Sequence, residues 1–487
     1  MVGADVGRVH NFSFGHALLD RRNGAVRRGT RFRQYRFALV SDTRFVGGLR
    51  AAPFRSKFRY FGARHRLVTM RLMLAMLGAR RRYLLPESMA DLGVLKCFVT
   101  DFYVNRRSWL QSAVVWIGRI LQIGIFQAIA GRYSSHIPIK QIVVFRWLGI
   151  RYAFQARLIR RDDARLFAAI NHQFCSRAAH YLEAADICWA YNGAALELFE
   201  AARERKIRCV LEQAIAPRDN QINELERARK DWSDWTPPHS LLDQDAADPL
   251  SERERAEWLL SDVIVTGSQY VYDCMQRKGI TPNRCMVVPS AIDLERFKIG
   301  TEVRSAGPLR VLFVGQINLR KGVPYLLEAV RRLNSTHIQL KLVGTPEVPR
   351  KQLEVFSQWA TFCGVVPLPE VVAHYQWADI VVVPSICEGS SMVTYEARGC
   401  GVPIVVTPNS GAFFTPGVDG LQVPVRSVEA IANTLDWLAR NRNEVRKLRD
   451  GAITYRHLLG REAYRGRLRH ALDEIGASPL RDRHVAA

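Results

Sequence analysis

The sequence predicts an α/β protein with two Rossmann-like domains that face each other across a cleft. From residue 72 onward, apolar segments of strand length alternate with helical segments, which is typical of parallel sheets with crossover helices. The chain has 487 residues and 48% of them are hydrophobic, which is enough for two buried cores. We predict an extension (1–66), a first domain (67–290), a linker (291–308), a second domain (309–476) and a tail (477–487).

The positive charge of the chain is concentrated at its start. The formal net charge is +24 at pH 7, and fifteen basic against three acidic residues precede Met70. Such a charge suits a nucleic acid, an anionic membrane surface or a phosphorylated substrate, and it does not choose among them. Residues 1–66 show no apolar face, so we predict that they form a disordered basic extension and that the functional chain begins near Met70.

Cysteine usage and apolar segments indicate the compartment. The nine cysteines form no Cys-x-x-Cys pair, which argues against a zinc ribbon or a secreted disulfide framework. No signal-peptide pattern follows Met1, so a cytoplasmic protein is expected. The apolar stretch Trp109–Ala130 is interrupted by Gln111, Arg119 and Gln122. It predicts either an interfacial helix, with peripheral contact at the inner face of a membrane, or a pair of buried core helices.

The first domain begins with an apolar segment, a glycine turn at Gly78 and a basic helical segment that runs to Asp91. Residues 105–165 show no clear pattern. In this domain we predict one helix, at Ala194–Arg205, besides the basic segment. The predicted strands are Leu72–Leu77, which is the opening apolar segment, Val94–Thr100, Ile187–Tyr191, Ile207–Leu211 and Val263–Thr266.

The second domain has the clearer alternation. Strands are predicted at Arg310–Val314, Gln339–Val343, Ile380–Val383 and Ile404–Thr407. Helices are predicted at Val323–Leu333, Pro349–Phe362, Pro369–Trp377, Ser391–Arg398, Val428–Ala439 and Glu462–Ile475. This order predicts a doubly wound sheet.

The first candidate site lies where the strand ending at Val314 meets the next helix. Gly315 and Gln316 open this turn, and Arg320 and Lys321 close it. Glycines at the carboxyl end of a strand let backbone amides approach phosphate oxygens, and two cations supply charge for a diphosphate. A solvated basic helix start would give the same pattern.

The second candidate site follows the strand that ends at Val383. Glu388 lies on the loop, Ser390 or Ser391 can cap the next helix, and Glu396 lies about one and a half turns into it. Carboxylates accept hydrogen bonds from sugar or ribose hydroxyls, and the amides of residues 389–391 can donate to sugar or phosphate oxygens. Alternatively, acidic residues near a helix start merely favour the helix dipole.

Together these motifs resemble glycosyltransferase family 4, which has the GT-B architecture, over most of Val263–Ile475. The spacing of Glu388 and Glu396 matches the family's Glu-x7-Glu motif, and Lys321 stands at its phosphate-binding lysine position. The resemblance implies a hexosyltransferase of polysaccharide biosynthesis that retains anomeric configuration. Its donor would be a nucleotide sugar, such as a UDP- or GDP-sugar, and its acceptor a glycan, a lipid-linked molecule or a small molecule.

The resemblance also implies residue roles. Lys321 would grip the donor diphosphate, Glu396 would hold the ribose hydroxyls, and Glu388 would meet the transferred sugar together with Gly389, Ser390 and Ser391. Many family members have arginine where this chain has Gln316, and Arg320 can supply that charge instead. The departing phosphate would accept the proton of the acceptor, so no dedicated protein base is implied.

The first domain matches the family less well. Gly78 stands where a glycine-containing loop approaches the donor phosphates, although an ordinary tight turn would also need it. Asp101, Tyr191 and Asn192 lie at predicted strand ends and are candidate acceptor contacts. Glu212 and Gln213 stand where the family often has histidine, whereas His172 and His180 lie elsewhere and are expected to be structural.

The sequence leaves other functions open. It contains no Asp-x-Asp motif or metal-ligand cluster, so no essential metal or other cofactor is expected. A sugar phosphorylase or a nucleotide-sugar epimerase on the same fold remains an alternative enzyme. The other alternative is a noncatalytic binder of nucleotide sugars or polyanions, although no nucleic-acid partner is expected.

Overall fold

The fold is described from a computed structural model, and the described residues are 70–104, 132–151, 164–235, 249–300 and 307–478. The predicted extension 1–66 and the predicted interfacial helix Trp109–Ala130 lie outside the described residues. Most of the predicted tail and residues 301–306 of the predicted linker also lie outside them. The described residues form two α/β domains.

The first domain is built on a parallel sheet. Its strands are β1 (Leu72–Met76), β2 (Leu95–Thr100), β3 (Ile142–Val144), β4 (Ile187–Tyr191), β5 (Arg208–Gln213), β6 (Val263–Thr266) and β7 (Cys285–Val287). They lie in the order β3-β2-β1-β4-β5-β6-β7. The helices are α1 (Leu84–Asp91), α2 (Ala164–Ala178), α3 (Leu196–Glu204), α4 (Arg218–Asp231), α5 (Pro249–Leu260) and α6 (Gln269–Arg277).

The second domain repeats this design with a second parallel sheet. Its strands are β8 (Leu309–Val314), β9 (Ile338–Val343), β10 (Ala360–Gly364), β11 (Ile380–Val383), β12 (Ile404–Val406) and β13 (Gly420–Gln422). They lie in the order β10-β9-β8-β11-β12-β13. The helices are α7 (Val323–Leu333), α8 (Arg350–Glu354), α9 (Leu368–Trp377), α10 (Met392–Gly399), α11 (Val428–Arg440), α12 (Arg442–Thr454) and α13 (Arg461–Ala477).

The central strands are buried along their whole length, and nearly all their residues are apolar, because helices cover both faces of each sheet. Every residue of β1, β4, β6 and β11 is buried. Parallel sheets sandwiched between helices need such continuous apolar strands. The strands β4, β6 and β11 and the helix α7 have the predicted bounds, and the predicted two-domain fold is confirmed.

The predicted helix Pro349–Phe362 is wrong over its second half. The helix α8 ends at Glu354, and Ala360–Gly364 form the edge strand β10, which pairs with β9. Pairing with a neighbouring strand decides the structure of such a short apolar segment, and one sequence does not reveal the neighbour. The three-residue strands β3, β7 and β13 were not predicted for the same reason.

Two elements cross from one domain to the other. The helix α13, predicted as part of the second domain, buries Tyr464, Leu468 and Leu472 in one cluster with Leu72 of β1. These residues recur every four positions, which gives the helix one apolar face but does not show which sheet receives it. The helix α4 of the first domain contacts the second domain, because Asp231 at its end accepts a hydrogen bond of 2.7 Å from the Tyr325 hydroxyl of α7.

Candidate functional site

The second sheet has a switch point between its neighbouring strands β8 and β11, because the chain crosses over in opposite directions from them. Open α/β sheets bind ligands in the crevice at the carboxyl ends of such strands. The loop after β8 carries Gly315–Gly322, and the loop after β11 carries Pro384–Ser391. The structure therefore brings the two predicted motifs together.

Glycine allows the two loops to touch. Gly322 has a φ of +70°, and a Cβ there would collide with the carbonyl oxygen of Pro384 in the other loop. The Ile386 amide donates to the Arg320 carbonyl at 2.8 Å, which joins the loops a second time. Within the first loop, Asn318 Oδ1 accepts a hydrogen bond of 2.9 Å from the Lys321 amide. The backbone that carries the two cations is thus fixed.

Two cations converge on one carboxylate. Arg320 Nη1 lies 2.7 Å and Lys321 Nζ lies 2.5 Å from Glu388 Oε1. Arg320 Nη2 also donates to Gln316 Oε1 at 3.1 Å. The Glu388 residue is only 9% exposed, so these charges interact with little solvent screening. Arg320, Lys321 and Glu388 together retain one excess positive charge, which an anionic ligand could neutralise.

The second predicted carboxylate lies on α10, at one side of this crevice. Glu396 Oε2 accepts a hydrogen bond of 2.8 Å from the Tyr375 hydroxyl. Burial raises the pKa of Glu396, whereas the Tyr375 hydrogen bond and the positive charge of Arg82 oppose that rise. Arg82 belongs to the first domain, so a charge from across the cleft acts on this carboxyl group.

The serines before α10 do not act as predicted. Ser391 occupies the N-cap position, but its side chain makes no capping hydrogen bond, and its amide donates to the Ser410 carbonyl at 3.1 Å. The Ser391 hydroxyl is buried without a partner among the described residues. Ser390 Oγ lies 3.0 Å from the Tyr395 hydroxyl. The Ser391 amide is therefore already engaged rather than free for phosphate.

Gly389 forms a contact between the domains. Its carbonyl accepts a hydrogen bond from the Ser268 hydroxyl of the first domain. A Cβ at Gly389 would collide with the carbonyl oxygen of Ala214, which also lies in the first domain. Sequence reasoning missed Ser268, although its position at the N-cap of α6 after a buried strand was a usable signal.

The predicted first-domain contacts lie at the carboxyl ends of β1, β2 and β4. Asp101 is buried and accepts hydrogen bonds of 2.8 Å from the Gly78 amide and from Arg132 Nη1. Asn192 Oδ1 accepts from the Ala214 amide at 3.1 Å, and Tyr191 is buried. These side chains hold the loops of the crevice, and their contact with an acceptor stays a prediction.

Two buried glutamates on α5 were missed by the sequence analysis. Glu254 Oε1 accepts from Gln213 Nε2 at 2.7 Å and from Asn192 Nδ2 at 3.1 Å. Glu257 accepts from the amides of Gly193 and Ala195 at 2.6 and 2.9 Å. Burial raises the pKa of Glu257 to about 7. The helix thus braces the loops after β4 and β5.

His172 lies on α2, and its Nδ1 is 2.6 Å from Glu197 Oε1 at the start of α3. Over the described ranges, no group of three or more His, Cys, Asp or Glu side chains could hold a metal ion. The described helices include none long and apolar enough to span a membrane.

Comparison with known proteins connects this site to a family. Residues 308–441 match a family model described as Glycosyl transferases group 1. The D-inositol 3-phosphate glycosyltransferase of Corynebacterium jeikeium is 32% identical over 200 residues, which cover 36% of this chain and 48% of that protein. The protein of the same name from Geodermatophilus obscurus is 35% identical over 177 residues, covering 30% and 38%. The chain thus spans about half the length of such relatives, or less.

Solved structures resemble both domains together. Sucrose-phosphate synthase from Thermosynechococcus elongatus gives a TM-score of 0.55 at 15% identity, covering 84% of this chain and all of that chain (100%). The HepE protein of Anabaena in complex with UDP gives a TM-score of 0.54 at 14% identity, covering 83% and 100%. The chain therefore has the GT-B fold, and its second domain is similar to group 1 glycosyltransferases.

Proposed function

We propose that this protein is a glycosyltransferase that takes a sugar from a nucleotide-sugar donor and retains its anomeric configuration. One observation carries the proposal: Arg320, Lys321 and Glu388 converge at the switch point of the sheet that matches the group 1 family. A site for a sugar diphosphate needs cations and a carboxylate at adjacent positions, and this crevice has both.

The donor is proposed to be a UDP- or GDP-sugar. HepE, which shares the fold, was solved in complex with UDP and with UDP-glucose. In our proposal the diphosphate replaces Glu388 as the partner of Arg320 and Lys321. Glu396 accepts hydrogen bonds from the ribose hydroxyls, since its Oε2 is bound by Tyr375 while its Oε1 has no hydrogen bond with any described residue.

The chemical step follows from the charges. As the sugar leaves, negative charge grows on the diphosphate, and Arg320 and Lys321 already stand in place to stabilise it. Glu388, once released from these cations, can accept hydrogen bonds from the hydroxyls of the transferred sugar. The departing phosphate accepts the proton of the attacking hydroxyl, so this scheme uses no protein base.

The acceptor is proposed to be a glycan, a lipid-linked molecule or a small molecule. The curated relatives are named D-inositol 3-phosphate glycosyltransferases, which refers to a small phosphorylated acceptor for those proteins. The first domain of this chain supplies the opposite wall of the cleft, through the loops that follow β1, β4 and β5. We place the acceptor on that wall.

The test is a thermal stabilisation screen of the full chain against UDP-, GDP- and ADP-sugars. A ligand that binds only the native state raises the melting temperature, by an amount that grows with its concentration over its Kd. We expect one nucleotide series to stabilise the protein, and Lys321→Ala to remove that shift. No stabilisation by any of the three series would contradict the proposal.

We also propose a cytoplasmic location with peripheral contact to an anionic membrane. In the first domain, Trp147 is 81% exposed and Ile150 is 49% exposed, beside the exposed residues Arg146 and Arg151. Exposed aromatic and basic side chains suit a membrane interface. Flotation with phosphatidylglycerol vesicles at low salt should fall for Trp147→Ser, and an unchanged floated fraction would contradict the proposal.

A further inference from the structure

The loop after β9 lies against the loop after β8, which carries the two cations of the second domain. The Ile317 amide donates to the Thr345 carbonyl at 2.8 Å, and the Glu347 amide donates to the Ile317 carbonyl at 3.1 Å. The two loops pair here like short parallel strands, with Ile317 opposite Pro346. This pairing fixes the backbone of Glu347 beside the loop after β8.

The Glu347 carboxylate binds two side-chain amides of that loop. Its Oε1 accepts a hydrogen bond of 2.5 Å from Gln316 Nε2, and its Oε2 accepts one of 2.7 Å from Asn318 Nδ2. A carboxylate accepts hydrogen bonds but cannot donate them. Both amides therefore have to turn their nitrogen toward Glu347 and their oxygen away from it.

The two amide oxygens hold the residues that carry the cations. Gln316 Oε1 accepts a hydrogen bond of 3.1 Å from Arg320 Nη2, and Asn318 Oδ1 accepts one of 2.9 Å from the backbone amide of Lys321. Asn318 is only 7% exposed, so water offers its amide group few other partners. Glu347 thus acts on Arg320 and on Lys321 through one amide each.

The carboxylates of Glu388 and Glu347 differ in what they bind. Glu388 pairs directly with the guanidinium group of Arg320 and the ammonium group of Lys321, and in the proposed function the diphosphate replaces it. Glu347 binds neutral amides instead. Its hydrogen bonds can therefore stay in place while a diphosphate occupies the crevice.

We propose that Glu347 is a positioning residue of the donor site, which holds the two cations in place for the diphosphate through the amides of Gln316 and Asn318. This inference rests on the proposed glycosyltransferase function. By its charge alone, a carboxylate near a diphosphate weakens the binding of that diphosphate. By orienting the cations, Glu347 strengthens it. The two effects have opposite signs, so one substitution separates them.

The test is Glu347→Gln, which has nearly the same size but an NH2 group in place of one oxygen. That group would face the NH2 of Gln316 or Asn318, and two donors cannot bind each other. One of these amides then has to turn its oxygen away from Arg320 or from the Lys321 backbone. Charge alone would make UDP or GDP bind more tightly. We expect calorimetric titration to show binding at least about tenfold weaker, with donor turnover lowered by a similar factor.

A second substitution should restore the hydrogen bonds. Asn318→Asp alone places a second carboxylate beside that of Glu347 and should weaken nucleotide binding, because like charges repel. In the double variant Asn318→Asp with Glu347→Gln, the new NH2 group at position 347 donates to the new carboxylate at position 318. That carboxylate still accepts from the Lys321 amide, and the net charge equals that of the wild type. We expect its nucleotide affinity within about threefold of wild type, which is far from additive.

The matched control is Glu354→Gln, which removes the same charge from a side chain on α8 that is 60% exposed. It should change nucleotide affinity less than about twofold, because solvent and salt screen an exposed charge. Melting temperatures complete the control. Glu347 is itself exposed, so Glu347→Gln should melt within about 3 °C of wild type.

Three results would overturn the proposal. One is that Glu347→Gln binds UDP and GDP as tightly as wild type or more tightly. Another is that the double variant binds them as weakly as Glu347→Gln does. The third is a melting temperature of Glu347→Gln more than about 10 °C below wild type, which would show a role in folding.

Failure of the proposed function gives a different result. If neither UDP nor GDP binds the wild type, that function is contradicted, and inorganic pyrophosphate then tests Glu347, since it carries the diphosphate alone. Pyrophosphate binding that Glu347→Gln weakens and the double variant restores would support the positioning role. Any other result of this titration would overturn it.

Discussion

At the scale of single residues, the two carboxylates of the second domain have different surroundings and should have different roles. Glu388 balances two cations, whereas Glu396 is bound by a tyrosine hydroxyl. We expect Glu396→Gln to raise the KM for the donor mainly, and Glu388→Gln to lower kcat mainly. Steady-state kinetics with the donor varied would check this. Equal changes of both parameters in both variants would contradict the division.

Lys321 should matter more than its charge alone suggests, because its ammonium group lies in a poorly solvated cluster. We expect Lys321→Ala to lower donor turnover about tenfold to a thousandfold, the range for a contact that stabilises developing charge. Lys351→Ala removes the same charge from an exposed position on α8 and serves as control. Turnover that falls equally in both variants would point to net charge instead of the site.

The buried carboxyl group of Glu257 should make the stability of the protein depend on pH. Its pKa is about 7 in the folded protein against 4.5 in the unfolded chain, because the carboxyl group is buried. The stability that comes from this raised pKa is fully present below pH 4.5 and is lost as pH rises through 7. Between pH 4.5 and 8, wild type should therefore lose up to about 3 kcal/mol relative to Glu257→Gln. Urea unfolding of both proteins across this range measures the difference, and a constant difference would contradict it.

The sequence predicted the two second-domain motifs that the structure brings together, but not the residues that brace the first domain. Lys321 and Glu388 lie in short motifs at strand ends, so their neighbourhood follows from chain order and the sheet rule. Glu254 and Glu257 act on loops some 40 to 65 residues away along the chain. The local sequence does not show that these two glutamates contact the loops after β4 and β5, because α5 has charged residues on several sides.

At the scale of elements, the loop after β11 can approach the first domain only because residue 389 has no side chain. Gly389→Ala should push this loop away from Ala214, at a cost of about 1–3 kcal/mol, and should lower turnover. Gly466→Ala is the matched control. A Cβ added at residue 466, on α13, meets open space, so this change should raise the stability by up to about 1 kcal/mol through helix propensity. Thermal melting and turnover of both variants check this, and a Gly389→Ala protein with wild-type values would show that the contact is not needed.

The elements that were predicted correctly are those in which the apolar pattern of the sequence matches the burial of the residues in the fold. The strands β4 and β11 are apolar throughout and buried on both faces, and α7 has one continuous apolar face. In contrast, β10 is an edge strand with mixed burial, and its sequence fits the end of a helix equally well. Pairing with β9 settles its structure.

At the scale of the whole molecule, the domains are joined by more than the chain between them. The helix α13 returns to the first domain, and the end of α4 reaches α7 of the second. Together with the Ser268 and Gly389 contact, these elements hold the two domains against each other. A donor held by one domain and an acceptor held by the other could then react between them.

The most direct test of the proposed function is to follow the reaction of the full chain by NMR, using the nucleotide sugar that stabilises it most. We expect release of one nucleoside diphosphate for each sugar transferred, with the anomeric configuration of the donor kept in the product. Donor consumption that requires inorganic phosphate, an epimerised nucleotide sugar in the absence of acceptor, or no consumption of any donor would contradict it.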